Sequence, residues 1–179
     1  MSDFKVPDSV TPIIGWRYWR MAAGETLLRS LTGRHQQWEP GQALRARCRF
    51  DDVDRSDWRY RMVSGFSTEA HPAPSEGCTC GLYAARSLEH LRGQMLFGLH
   101  RMVVGQVSMW GKVIPGQHGY RAEFAYPQRL SVFEGVINRD PGVLDALSAY
   151  GVPVEIVGDR QGSFSPVLAL ARAVRSRAR

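Results

Sequence analysis

The first strong segment covers residues 13–21, an aromatic run in which alternation puts Trp16, Tyr18 and Arg20 on one side of an extended chain. A period of two with aromatic residues in it is the pattern of a β-strand. Gly24-Glu25 then reads as a turn into a second strand near residues 26–31, which makes a hairpin. Trp38-Glu39-Pro40-Gly41 marks another turn, and residues 43–50 alternate into a third strand that carries Cys48. The acidic run at 51–57 reads as an exposed loop before Trp58-Arg59-Tyr60-Arg61-Met62.

Further along, residues 82–92 are rich in Ala, Leu and Arg and predict a helix, with Gly93 as its stop. Residues 102–114 and 119–126 predict a hairpin around a loop at 115–119, with Gly105 and Gly111 suited to bulges or close strand contacts. Asp140-Pro141 is a helix start, with Asp as N-cap and Pro in the first position. That helix is expected to reach Tyr150, Gly151 to end it, and residues 152–157 to form a strand. The tail 166–179 is basic and amphipathic. Together these elements predict an α+β fold: a strand-rich, curled antiparallel sheet with a few short helices. The expected division is a β-rich module over residues 1–135, with a helix-strand-helix extension over 136–179 packed on it.

The composition allows such a core, since 44% of the 179 residues are apolar, including five Trp, seven Phe and six Tyr. No stretch approaches the roughly 20 apolar residues of a membrane helix. The start, Met1 to Pro7, lacks the apolar segment of a signal peptide, so the expected location is cytoplasmic. In a reducing compartment three cysteines suit a metal or catalysis better than disulfides.

Those cysteines supply the strongest chemical signal. Cys48, Cys78 and Cys80, with His71 just ahead of the latter two, are the three thiolates and one imidazole of a closed four-coordinate zinc site. The Pro- and Gly-bounded run from His71 to Gly81 could be held rigid by such an ion without a regular element. Cys78 and Cys80 stand two apart, so an extended backbone points both side chains the same way; this is not the commoner Cys-x-x-Cys knuckle. His90, on the helix expected next, is an alternative fourth ligand. A Cys/His nucleophilic pair is a competing reading, with Cys78 or Cys80 near that helix's N-terminus, but it would not require a second cysteine two residues away. A zinc deaminase needs His-x-Glu and Pro-Cys-x-x-Cys, and neither half is present. Phosphate-cradling Gly patterns and a Gly-x-Ser-x-Gly elbow are absent as well.

The formal charge of +6 comes from 23 basic residues, of which only Lys5 and Lys112 are lysine, against 17 acidic ones. Arginine forks bind phosphate in pairs of hydrogen bonds, and arginines interleaved with aromatics can stack bases and neutralise phosphates. Arg17, Arg20, Arg59, Arg61, Arg172 and Arg175 are the candidate nucleic-acid contacts. The competing structural reading makes the aromatic residues core and the arginines a solvated face.

Trp38-x-Pro40-Gly41, Cys48, His71-x-Ala73-Pro74 and Cys78-x-Cys80-Gly81-Leu82-Tyr83-Ala84, followed by Gly105-x-Val107-x-x-Trp110-Gly111-x-Val113 and Gly119-Tyr120-Arg121-Ala122, resemble a pattern in small proteins of high-GC bacteria with no assigned activity. The resemblance covers about residues 15–130 and lends no catalytic residues. It implies that the cysteine loop and the Trp110 hairpin belong to one module. The expected function is therefore a zinc-stabilised module that binds nucleic acid, rather than an enzyme. The alternatives are an adaptor that docks a larger assembly through the Trp110 hairpin, and an enzyme using a cysteine or a metal-bound water.

Overall fold

The computed structural model describes residues 11–21, 24–31, 36–48, 71–93 and 102–158. In chain order its elements are β1 (Ile13–Arg20), β2 (Leu28–Ser30), β3 (Gln37–Trp38), β4 (Leu44–Arg45), β5 (Leu82–Ala85), α1 (Leu88–Gly93), β6 (Met102–Pro115), β7 (Gly119–Phe133), α2 (Glu134–Ile137), α3 (Gly142–Ser148) and β8 (Val154–Val157). The hairpin β6–β7 is the frame. It follows the alternation of the sequence, and its register breaks between Gln106 and Val107 and between Trp110 and Val113, beside Gly105 and Gly111. Such irregularities bend a strand and increase its twist.

The bend lets the sheet curl back on itself. β1 pairs with β6 along its whole length, β6 with β7, and β7 with β5. β5 then returns to β1 through the bridge Trp16↔Ala85, which closes a four-stranded ring. At this seam a Cβ on Gly15 would stand 2.6 Å from the Cβ of Ala84, so the two strands meet only because one of them is bare backbone there. Around the ring, β2 continues from β1, β3 from β2, and β4 lies along β7.

The sheet is mixed, which departs from the wholly antiparallel expectation. α2 and α3 carry the chain back so that β8 runs parallel to β7, from Leu130↔Val154 to Phe133↔Val157. A parallel neighbour needs a crossover of this kind, and the sequence signal for α2 is only a few residues long. Val143 and Leu147 of α3 enter the same buried cluster as Trp19, Leu28, Val103 and Leu130. Residues 134–157 thus share the core of the strands before them.

Three further expectations are corrected. Residues 82–92 do not form one helix: Leu82–Ala85 is β5, and only Leu88–Gly93 is helical. Ala-rich sequence favours a helix locally, but here pairing with β7 and contact with Gly15 use the small size of Ala84 and Ala85 instead. Within the described part of the strand expected at 43–50, residues 43–48, only Leu44–Arg45 is a strand. Asp140 does precede α3, but Pro141 occupies the cap position and no side chain caps the helix. The Asp140 carboxylate instead accepts the Gly24 N–H at 3.0 Å, in the turn before β2. The basic tail 166–179 and the segment 51–62 lie outside the described residues.

Candidate metal centre and adjoining cleft

Cys48 is brought to the centre by β4. Beyond Arg45 the chain stays on β7, with the Ala46 N–H donating to the Glu123 carbonyl at 2.7 Å, and Cys48 follows two residues later, fully buried. The loop 71–81 arrives along the same edge of β7, where it leads into β5. Its Ala73–Pro74 peptide is cis, and the Cys78 N–H closes a turn on the Ser75 carbonyl at 3.2 Å. Cys78 and Cys80 are buried while Thr79 between them is exposed, as the two-residue spacing predicts.

The four ligand atoms of Cys48, His71, Cys78 and Cys80 lie within 4.8 Å of one another. Two separations test whether an ion fits. Thiolates about 2.3 Å from a tetrahedral ion stand about 3.8 Å apart. The Cys48 and Cys78 sulfurs are separated by 3.9 Å. A thiolate and an imidazole nitrogen on such an ion stand about 3.5 Å apart. His71 Nε2 lies 3.3 Å from the Cys80 sulfur. Three cysteines and one histidine therefore have the donor set and spacing of a four-coordinate metal site.

The thiols influence one another. Burial raises the Cys78 thiol, but hydrogen bonds from the Cys80 backbone and from the Cys80, Cys48 and His71 side chains outweigh it and draw the group below its ordinary value. Cys80 moves the other way, raised by its own burial and by its neighbour Cys78. His90, the alternative ligand, is elsewhere: its Nδ1 is 2.9 Å from the Ser87 hydroxyl, and its ring lies 5.0 Å from that of His118.

The loop leaves the site through Gly81, whose φ of +128° is a conformation other residues rarely adopt. A Cβ there would also stand 3.1 Å from the Cβ atoms of Pro74 and Arg121. Arg121, on β7 opposite Tyr83, reaches across with Nη1 to the carbonyls of Ser75 (3.2 Å), Cys78 and Cys80 (3.1 Å). Sequence reasoning did not single out Arg121. Its signal, an arginine at a fixed strand position facing a loop rich in carbonyls, exists only after folding.

Beside the metal loop runs a cleft of about 590 Å³, whose lining includes Trp16, Tyr18, Tyr83, Tyr120, Cys78 and Thr79. Trp16, Tyr18 and Tyr120 are half-buried and Tyr83 is 42% exposed. The Tyr83 hydroxyl donates to the Thr79 carbonyl and ties this wall to the loop. Exposed Arg20 continues the Trp16–Tyr18 side of β1, as the alternation predicts.

Arg17 is corrected as a surface contact: it is 6% exposed, and only a buried part of it lines the cleft. Its guanidinium donates to the Tyr83 carbonyl and to the Ser30 hydroxyl (2.8 Å) and lies 5.2 Å from the centre of the Trp38 ring. Burial lowers its pKa to about 10, which still leaves it charged at neutral pH. Arg17 therefore caps the place where β5 parts from β1 and β2. Arg59, Arg61, Arg172 and Arg175 lie outside the described residues.

The fold and the site define a curled, strand-rich α+β domain carrying a Cys₃His cluster. No protein-family model matches the chain, and no curated protein or solved structure matches it either. Among the described residues, no helix is long and apolar enough to cross a membrane.

Proposed function

We propose that the chain is a zinc-stabilised module that acts by binding, and that its ligand is single-stranded nucleic acid taken along the aromatic cleft. Zinc is the ion favoured by three thiolates and one imidazole in tetrahedral arrangement. Four protein ligands leave no coordination position for water or substrate, so the ion's role is structural. Function then belongs to a surface, and the observation that carries it is the cleft. Trp16, Tyr18, Tyr83 and Tyr120 line it, the Tyr120 ring beneath the Arg86 guanidinium at 4.8 Å, and exposed Arg20 adds a cation farther along the same side of β1. Ring faces stack on any base and arginine neutralises the backbone, which is how single strands are bound without strong sequence preference.

The test is titration of purified protein with labelled single-stranded RNA and DNA oligonucleotides at low and moderate salt. Affinity should fall steeply with salt, and Trp16→Ala should weaken binding about tenfold or more, the loss of one stacked base. Salt-insensitive binding, no binding, or an unaffected Trp16→Ala variant would overturn the nucleic-acid reading. So would a specific protein that co-purifies after nuclease treatment and competes for the cleft, which would favour an adaptor. Elemental analysis checks the zinc separately, and less than about half an equivalent in protein purified without chelators would end that part.

A further inference from the structure

We propose that Arg121 is a positioning residue of the metal centre, a role that rests on the Cys₃His cluster holding an ion. Three carbonyls of one short loop, those of Ser75, Cys78 and Cys80, converge on a single guanidinium nitrogen. Such carbonyls carry like partial charges and repel when gathered, so their convergence needs a cation at the focus. Two of the three belong to the ligand cysteines themselves, so fixing these carbonyls fixes the direction in which both sulfurs leave the backbone. The third belongs to Ser75, whose carbonyl also accepts the Cys78 N–H and closes the turn.

Arginine suits this position in two ways. Its guanidinium nitrogens are donors only and accept nothing, which matches a focus made of carbonyl oxygens. Three thiolates and a neutral imidazole around a divalent ion also leave one net negative charge, which the guanidinium behind the loop compensates. Arg121 is itself held by β7, between Tyr83 on β5 and Ile114 on β6, so the loop is referred to the rigid frame. The hydrogen bonds go to the loop's carbonyls and not to the sulfurs, so Arg121 acts on the metal through the backbone.

The experiment compares wild type with Arg121→Met, Arg121→Lys and Arg29→Met. Arg29 pairs with Glu25 at 3.0 Å on β2 and serves as the control for removing an arginine. Zinc affinity is measured by competition with a chromogenic chelator, cobalt-substituted protein gives the visible spectrum of the site, and circular dichroism reports the fold. Arg121→Met should bind zinc about 10- to 100-fold more weakly, the usual cost of removing a group that orients metal ligands. Its cobalt spectrum should shift, Arg121→Lys should recover part of the affinity, and Arg29→Met should match wild type. A folded Arg121→Met variant with wild-type affinity and cobalt spectrum would overturn the proposal. If Arg121→Met does not fold, Arg121→Lys decides: it keeps the charge, but its shorter side chain ends before the focus that Nη1 occupies, so wild-type zinc affinity in it overturns the proposal. Wild-type protein that binds neither zinc nor cobalt would instead overturn the metal reading beneath it.

Discussion

Gly15 lies where the ring closes, and a single methyl group decides whether β1 can reach β5. A Cβ at this position meets the Ala84 Cβ at 2.6 Å and the Ala85 carbonyl oxygen at 3.3 Å, neither of which is the end of a flexible side chain. Gly15→Ala should therefore destabilise the protein by about 1–3 kcal/mol, the range for overpacking a filled core. Ala84→Gly in the same chain should restore part of the loss, because it removes the clashing atom. Urea denaturation of the two single variants and the double variant gives the coupling, and simple additivity would show that the seam is not the cause. At this scale the Cys₃His cluster was legible because cysteine and histidine carry their chemistry in their identity. Arg17 was misplaced for the opposite reason. Its charge suggests a surface, but the alternation that turns Trp16, Tyr18 and Arg20 one way turns Arg17 inward with Trp19.

At the level of elements, the long hairpin was legible because many alternating positions agree with one another. β5 was not, since four residues with helical propensity become a strand only when neighbouring strands hold them. The short strands β2 and β3 depend in turn on Tyr150, just beyond α3. Its hydroxyl donates to the Trp38 carbonyl at 2.5 Å and accepts the Leu28 N–H at 2.8 Å, so one side chain ties both strands to the helix end. Tyr150→Phe should cost about 1–3 kcal/mol by leaving those two buried groups without a partner. Burial also pushes the Tyr150 phenol up to about 12, with smaller contributions from Tyr126 and Glu39. An unfolded chain loses that proton nearer pH 10, so it binds fewer protons than the native state above that pH. Stability should accordingly be intact below about pH 10 and fall as pH rises toward 12. The decline should be shallower in Tyr150→Phe, and identical slopes in denaturation series at rising pH would exclude Tyr150 as its source.

Across the whole molecule the Cys₃His cluster brings together parts that the sheet joins through short strands only. Cys48 follows the two-residue strand β4, and Cys78 and Cys80 precede the four-residue strand β5, on the same long strand β7. On the reading proposed above, an ion held by the cluster would, with Arg121, fasten this edge of the ring and the loop that walls the cleft. An ion that binds only the folded state stabilises it by mass action, about 4 kcal/mol at a thousandfold excess over the dissociation constant. For a chain of this size that corresponds to roughly 8–16 °C in the midpoint of thermal unfolding. Adding a strong chelator should lower the midpoint by that order, and returning zinc should restore it. Cys78→Ser should start near the chelated value and respond little to either treatment. Oligonucleotide binding should weaken with the same chelator, because the cleft loses the wall formed by Cys78 and Thr79. A midpoint that ignores both chelator and zinc, in protein shown by elemental analysis to have carried the ion, would mean that the sheet needs no staple and that the cluster must be read as a reactive site instead.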